Sequence, residues 1–174
     1  MSFFTPPPEL ATEVFARLPA PLRLARRTTW SEVNRGGAAL HSFLEGPSFD
    51  RTGNLYLVDV PHGRIFRVSP AGEFSVVAEY YGEPNGLKIH RDGRIFLADH
   101  KHGLMLLDPR SGRVETFFDR PHRERFRGLN DLIFDNHGNL YFTDQGETGL
   151  HDPAGRLYRL HPNGRLDLLL DNVP

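Results

Sequence analysis

From Glu45 to Pro174 the hydrophobic and polar positions alternate in short runs, and one pattern is written three times: EGPSFDRTGNLYLVD over 45–59, PNGLKIHRDGRIFLAD over 84–99 and LNDLIFDNHGNLYFTD over 129–144. Each copy is an apolar run, a polar turn with glycine and a second alternating run ending in aspartate. Period-two alternation over a handful of residues marks a strand with one buried face, and the β-branched, aromatic and leucine residues of NLYLV, RIFLA and NLYFT suit that reading. The turn glycines Gly53, Gly93 and Gly138 lie 40 and 45 positions apart. Self-similarity at such a period is the signature of propeller blades.

Each copy continues alike, through GRIFRVSPAG from Gly63, GLMLLDPRSG from Gly103 and GRLYRLHPNG from Gly155, and closes with EFSVVAEY, RVETFFD and RLDLLLDN. The fold class is therefore all-β, with propeller blades of four antiparallel strands in repeats 45–83, 84–128 and 129–174, preceded by a segment 1–44. No stretch after Glu45 reads as a helix. Between adjacent sheets the pattern buries Phe49, Leu55, Leu57, Ile65, Phe66, Ile89, Ile95, Leu97, Ile133, Phe134, Leu140 and Phe142. A closed propeller has four to eight blades, so three are part of a ring and leave two apolar flanks. Either a longer protein or a homodimer would close it.

Segment 1–44 is broken by Pro6 to Pro8, Pro19 and Pro21. TEVFARL, Thr12 to Leu18, alternates as a strand that could complete another blade. Arg23, Arg26 and Arg27 around Leu24 read as a solvated loop. The 21 basic and 22 acidic residues supply no field for nucleic acid or an anionic membrane. The absence of cysteine excludes a disulfide framework, a thiol nucleophile and a thiolate metal site. The opening MSFFTPPPEL lacks the basic and apolar regions of a secretion signal, so a cytoplasmic location is the expectation.

Register locates the chemistry. Glu45, Asn85 and Asn130 each lie 8 residues before a turn glycine, at the entry to the innermost strand of each blade. Inner strands run side by side around a propeller axis, so equivalent positions at their ends face one channel mouth. One carboxylate and two carboxamides are hard oxygen donors, the kind that Ca²⁺ gathers in sets of 6 to 8. Asp59, Asp99 and Asp144 close the second strand of each repeat and read as turn-stabilising acceptors. His100 and His102 form an H-x-H pair without an acidic partner nearby, His62, His122 and His151 are single loop histidines, and Trp30 reads as packing. The nucleophile-elbow, P-loop and dinucleotide motifs are absent.

EGPSFDRTGNLYLVD, GLNDLIFDNHGNLYFTD and GRLYRLHPNGRLDLLLDNVP resemble the SMP-30/gluconolactonase/LRE-like family of six-bladed propellers, and the similarity runs from Ser42 to Pro174. The resemblance implies about three blades of a six-bladed ring. It also implies a Ca²⁺-dependent hydrolase, with Zn²⁺ or Mn²⁺ as alternatives, that opens a sugar lactone or similar small ester. The glutamate of the E-G-P motif carries over to Glu45 as a metal ligand. The asparagine of the N-D pair carries over to Asn130 as a metal or substrate ligand, with Asp131 beside it as a candidate base that strand alternation turns away. Asn85 is assigned to substrate. Arg127 is a substrate candidate three positions before Asn130, where some members have arginine two before. The family's later P-N-G-L asparagine and a still later aspartate have no counterpart up to Pro174. The alternative function is a non-catalytic propeller fragment or interaction domain.

Overall fold

A computed structural model of the chain describes residues 7–174; of the proline-broken opening, 1–6 lie outside the described residues. Three four-stranded antiparallel sheets follow one another, each in chain order. The first holds β1 (Leu44–Phe49), β2 (Leu55–Asp59), β3 (Arg64–Val68) and β4 (Phe74–Glu79). The second holds β5 (Pro84–Ile89), β6 (Ile95–Asp99), β7 (Gly103–Asp108) and β8 (Arg113–Phe118). The third holds β9 (Leu129–Phe134), β10 (Leu140–Asp144), β11 (Gly155–Leu160) and β12 (Leu166–Val173). Such meanders need only hairpin turns, which the Asp-, Asn- and Gly-rich turns of the repeats provide. These sheets are blades of a propeller, incomplete as a ring.

The blades stack face to face with β1, β5 and β9 innermost. Between the first two blades, Tyr56, Val58 and Ile65 pack against Leu87, Ile95, Leu97 and Met105. Between the second and third, Phe96, Ala98 and Leu104 pack against Leu132, Phe142, Tyr158 and Leu160. The middle blade is covered on both faces, so β6 is buried at every position. Each aliphatic or aromatic side chain fully removed from water there contributes about 1.5–3 kcal/mol.

Of the twelve positions expected between sheets, Ile65, Ile95, Leu97, Leu140 and Phe142 are buried there, Phe66 is buried on the first blade's outer face opposite Leu57, and four are half-buried. Phe49 and Ile133 are corrections, being 67% and 60% exposed. Phe49 pairs with Leu55 on the first blade's outer face, and Ile133 pairs with Tyr141 on the third blade's outer face. No neighbouring blade covers either face.

The N-terminal segment departs more widely from expectation. Thr12–Leu18 forms no ladder; it runs beside the first blade, with Ala16 next to the Gly72 turn. A strand needs a paired edge, and alternation without one does not make a strand. A helix absent from the sequence reading, α1 (Thr29–Arg35), is closed by a capping box between Thr28 and Ser31 and ended by Gly36 in the left-handed conformation. Arg23, Arg26 and Arg27 bond to Leu18 O, His62 Nδ1 and Gly37 O respectively, so they share no common ligand. No helix among the described residues is long and apolar enough to cross a membrane.

Two buried polar residues tie this segment to the first blade. Arg64 donates to Asp59 Oδ2 through Nε (3.0 Å) and Nη2 (2.6 Å), and to Leu22 O at 2.9 Å, while its guanidinium lies 4.8 Å from the Phe66 ring centre. His62 is buried rather than looped in solvent. Its Nδ1 accepts from Arg26, which leaves Nε2 to donate to Leu40 O at 3.1 Å.

Arg64→Ala leaves the Asp59 carboxylate buried without its cation and is expected to cost about 3–5 kcal/mol in urea denaturation. Burial lowers the His62 pKa below its ordinary value, so as pH falls the unfolded chain takes up that proton first. Stability is then lost as pH drops through the histidine range, and His62→Gln is expected to flatten this loss between about pH 7 and pH 5.

Candidate active site

Each inner strand carries an irregularity at or directly after its site residue. In β1 the ladder steps from Glu45↔Val58 to Ser48↔Tyr56; in β5 it steps from Pro84↔Asp99 to Gly86↔Ala98, leaving Asn85 unpaired. In β9 it steps from Leu129↔Asp144 to Leu132↔Phe142, so Asn130 and Asp131 together face Thr143. A bulge re-aims the side chain it carries. The bulge carries Asn85 and Asn130 themselves in the second and third blades and directly follows Glu45 in the first.

Close packing of the inner strands brings these bulges together. A Cβ on Gly46, whose φ is +58°, would stand 2.6 Å from the Leu87 nitrogen and 3.2 Å from the Asn85 oxygen. A Cβ on Gly86 would stand 2.8 Å from an Asp131 carboxylate oxygen and 2.9 Å from the Asn130 oxygen. The glycines that follow Glu45 and Asn85 thus let one inner strand rest on the backbone of the next.

Glu45, Asn85 and Asn130 line one cavity of about 460 Å³. Its walls include Trp30 and Val33 of α1, Phe43, Tyr81, His100, Lys101, Gln145 and Glu147. Trp30 also packs on Phe43, with ring centres 4.9 Å apart. Lys101 Nζ lies 3.0 Å from Glu83 Oε1 and 4.5 Å from the centre of the Tyr81 ring, which fixes its ammonium at the cavity wall. A larger hollow, about 590 Å³, lies at the opposite end of the second blade. Its lining includes the ion pairs Arg94–Asp92 and Arg113–Glu115, and none of the candidate site residues.

Other sequence candidates fall elsewhere. Asp131 is 3.8 Å from Lys88 Nζ and accepts from the Leu132 amide, outside the cavity. Arg127 donates to Ala154 O at 2.8 Å and does not line the cavity. His100 lines the cavity, whereas His102 Nε2 is 2.6 Å from Tyr81 O, so the H-x-H pair forms no chelate. Sequence reading missed Phe43, Tyr81, Glu83, Lys101, Gln145 and Glu147 as wall residues. For Gln145 a signal existed: it directly follows the strand-end Asp144, as His100 follows Asp99.

The segment holding these three bulges is what the comparisons recognise. A family model described as the SMP-30/gluconolactonase/LRE-like region matches residues 43–174. The chain belongs to this family. Among curated relatives, the lactonase drp35 of Staphylococcus aureus strain MRSA252 is 32% identical over 142 residues, which cover 77% of this chain and 41% of the relative. That of Staphylococcus epidermidis strain ATCC 12228 is 33% identical over 143 residues, covering 77% and 41%. The chain thus spans about two fifths of the length of these relatives.

Solved structures agree in fold. A gluconolactonase of Xanthomonas campestris superposes with a TM-score of 0.66 at 22% identity, over 75% of this chain and 48% of the other. The calcium-binding protein regucalcin of Agrobacterium tumefaciens gives 0.60 at 19% identity, over 75% and 43%.

Among the described residues no group of three or more His, Asp or Glu side chains is placed to hold a metal. The family's metal reading rests here on a different donor set, one carboxylate and two carboxamides on a shared wall. Neutral and anionic oxygens of that kind suit a hard divalent cation as part of its shell.

The inner-strand contact is testable by contrast. Gly46→Ala and Gly93→Ala both place a side chain at positive φ, but only Gly46 meets backbone; Gly93 has open space. Both are expected to destabilise, Gly46→Ala by at least about 1–3 kcal/mol and by more than Gly93→Ala, as read by urea denaturation.

Proposed function

We propose that this chain forms part of a metal-dependent hydrolase that opens a sugar lactone or a similar small ester. Ca²⁺ is the cation favoured, with Zn²⁺ or Mn²⁺ as alternatives. The observation that carries this reading is the meeting of Glu45, Asn85 and Asn130 on one cavity, in a chain of a family whose curated relatives are named lactonases. Glu45 and Asn130 would hold the cation and Asn85 would contact substrate. Held there, such a cation would supply polarisation of the ester carbonyl and stabilisation of the negative charge that develops on its oxygen.

The remaining work belongs to the chain's own side chains. Trp30 and Phe43 form an apolar wall that receives one face of a small ring and displaces water from it. Lys101, steadied by Glu83 and Tyr81, offers an N–H donor to an oxygen of the substrate. The Asn85 and Asn130 carboxamides can each present an oxygen or an N–H to the bound group. Asp131, the base candidate read from the sequence, faces Lys88 outside the cavity and is not assigned that role. Further blades would stand against the open face of the third blade, where Ile133 and Leu170 are exposed, supplied by additional chain or by a second copy.

The test is lactone hydrolysis with and without EDTA, on material whose association state is measured by sedimentation. The reading expects EDTA-sensitive activity that Glu45→Gln reduces by about 10²-fold or more, on the scale of losing one electrostatic contact to the reacting group. Activity untouched by both treatments rejects it. A folded, inert chain that captures a protein partner supports the interaction-domain alternative instead.

A further inference from the structure

Three aspartates in the chain are buried more deeply than its other turn acceptors. Asp50, Asp108 and Asp135 accept from amides of their own hairpin loops and keep access to water. Asp59, Asp99 and Asp144 are wholly buried, each 0% exposed. Each accepts from the backbone amide of a residue 16 positions earlier, on another strand's approach: Phe43 N at 2.8 Å, Glu83 N at 2.9 Å and Gly128 N at 2.8 Å. Those amides lie two residues before Glu45, Asn85 and Asn130.

Taking a carboxylate out of water is costly unless it is paired and hydrogen-bonded. A turn does not require full burial, as Asp50, Asp108 and Asp135 show. The second oxygens are satisfied differently in each blade. Asp59 Oδ2 holds Arg64. In the second blade Asp99 Oδ1 takes the Lys101 and His102 amides, and Oδ2 takes the Tyr80 hydroxyl as well as Glu83 N. Burial and Asp99 raise the Tyr80 pKa well above its ordinary value, so the phenol stays a donor. Asp144 Oδ2 has no hydrogen-bond partner among the described residues. Arg156 stands opposite Asp144 in the ladder as Arg64 stands opposite Asp59, yet its guanidinium bonds the Tyr158 hydroxyl at 3.3 Å. What the three sites share is the one bond to the inner strand's entry.

We propose that Asp59, Asp99 and Asp144 are positioning residues for the cavity: each fixes the backbone just ahead of a bulge and so sets the direction in which Glu45, Asn85 or Asn130 enters. The assignment of those three side chains as cation and substrate contacts rests on the function proposed above; the positioning itself does not. Groups that orient ligands from behind change metal affinity by about 10- to 100-fold when removed.

Asp144 gives the cleanest test because no cation is stranded when it is changed. Native-state amide exchange at Gly128, NMR χ1 couplings of Asn130 and Tb³⁺ titration are measured for the wild type, Asp144→Ala and Asp144→Asn, with Glu45→Gln as control. Protection at Phe43 and Glu83 shows that each variant is folded. Asp144→Ala should lose protection at Gly128, convert Asn130 from one χ1 rotamer to an average, and weaken Tb³⁺ by about tenfold. Asp144→Asn keeps a carbonyl oxygen for Gly128 and should restore all three. An unchanged Asn130 rotamer in a folded Asp144→Ala overturns the positioning role. Should the wild type fail to bind Tb³⁺, or Glu45→Gln leave binding unaltered, the cation reading falls while the rotamer result still decides the positioning.

Discussion

Backbone-on-backbone contact between neighbouring inner strands is the constraint on which the rest of this molecule depends. Gly46 lies on the Asn85–Leu87 backbone, and Gly86 on the Asn130 carbonyl between the Asp131 and Leu132 side chains, leaving no room for a side chain at either glycine. That spacing draws three bulges to one height and turns three separate hairpins into the wall of a single cavity. Farther from the axis the blades are separated by two ordinary apolar layers, where Leu97 and Phe96 point to opposite sides of the same strand. The core therefore holds the blades together, while the glycines decide how narrowly the site converges.

The first and third blades end in different surroundings, and the chemistry of their buried carboxylates follows. Against the first blade the N-terminal segment brings Leu22 O to Arg64 and Arg26 with Leu40 to His62, and Asp59 is bonded at both oxygens, by Phe43 N and by Arg64. At the third blade Asp144 keeps one oxygen without a partner among the described residues, and burial raises its pKa above the ordinary carboxylate value. An unsatisfied buried oxygen weakens the charged form locally. The same repeat is thus tightly held at one end of the wedge and loosely at the other.

Membership of the SMP-30/gluconolactonase/LRE-like family and the partial span of its relatives fit this picture of an incomplete ring. The donor set on the cavity is a partial one for a cation that takes six or more oxygens. Aromatic and cationic groups around it come from outside the repeat positions: Trp30 from α1, Phe43 from the approach to β1, and Lys101 from a hairpin loop. They give the chain's own cavity an apolar wall beside a polar floor.

The amino-acid sequence by itself determined the blades, their strand order and the equivalence of Glu45, Asn85 and Asn130. These properties are local and repeated: hairpin turns set strand length, and equal offsets from Gly53, Gly93 and Gly138 place residues at equal heights. Capping signals for α1 were also present, in Thr28, Ser31 and Gly36, but a short helix among prolines has no repeat to confirm it. Only the tertiary structure decided that Thr12–Leu18 stays unpaired, that Phe49 and Ile133 face outward, that His62 is buried, and that Arg127 and Asp131 stand away from the cavity. Each of those outcomes depends on which distant segment arrives to cover a face or accept a hydrogen bond, and a repeat pattern carries no record of its neighbours.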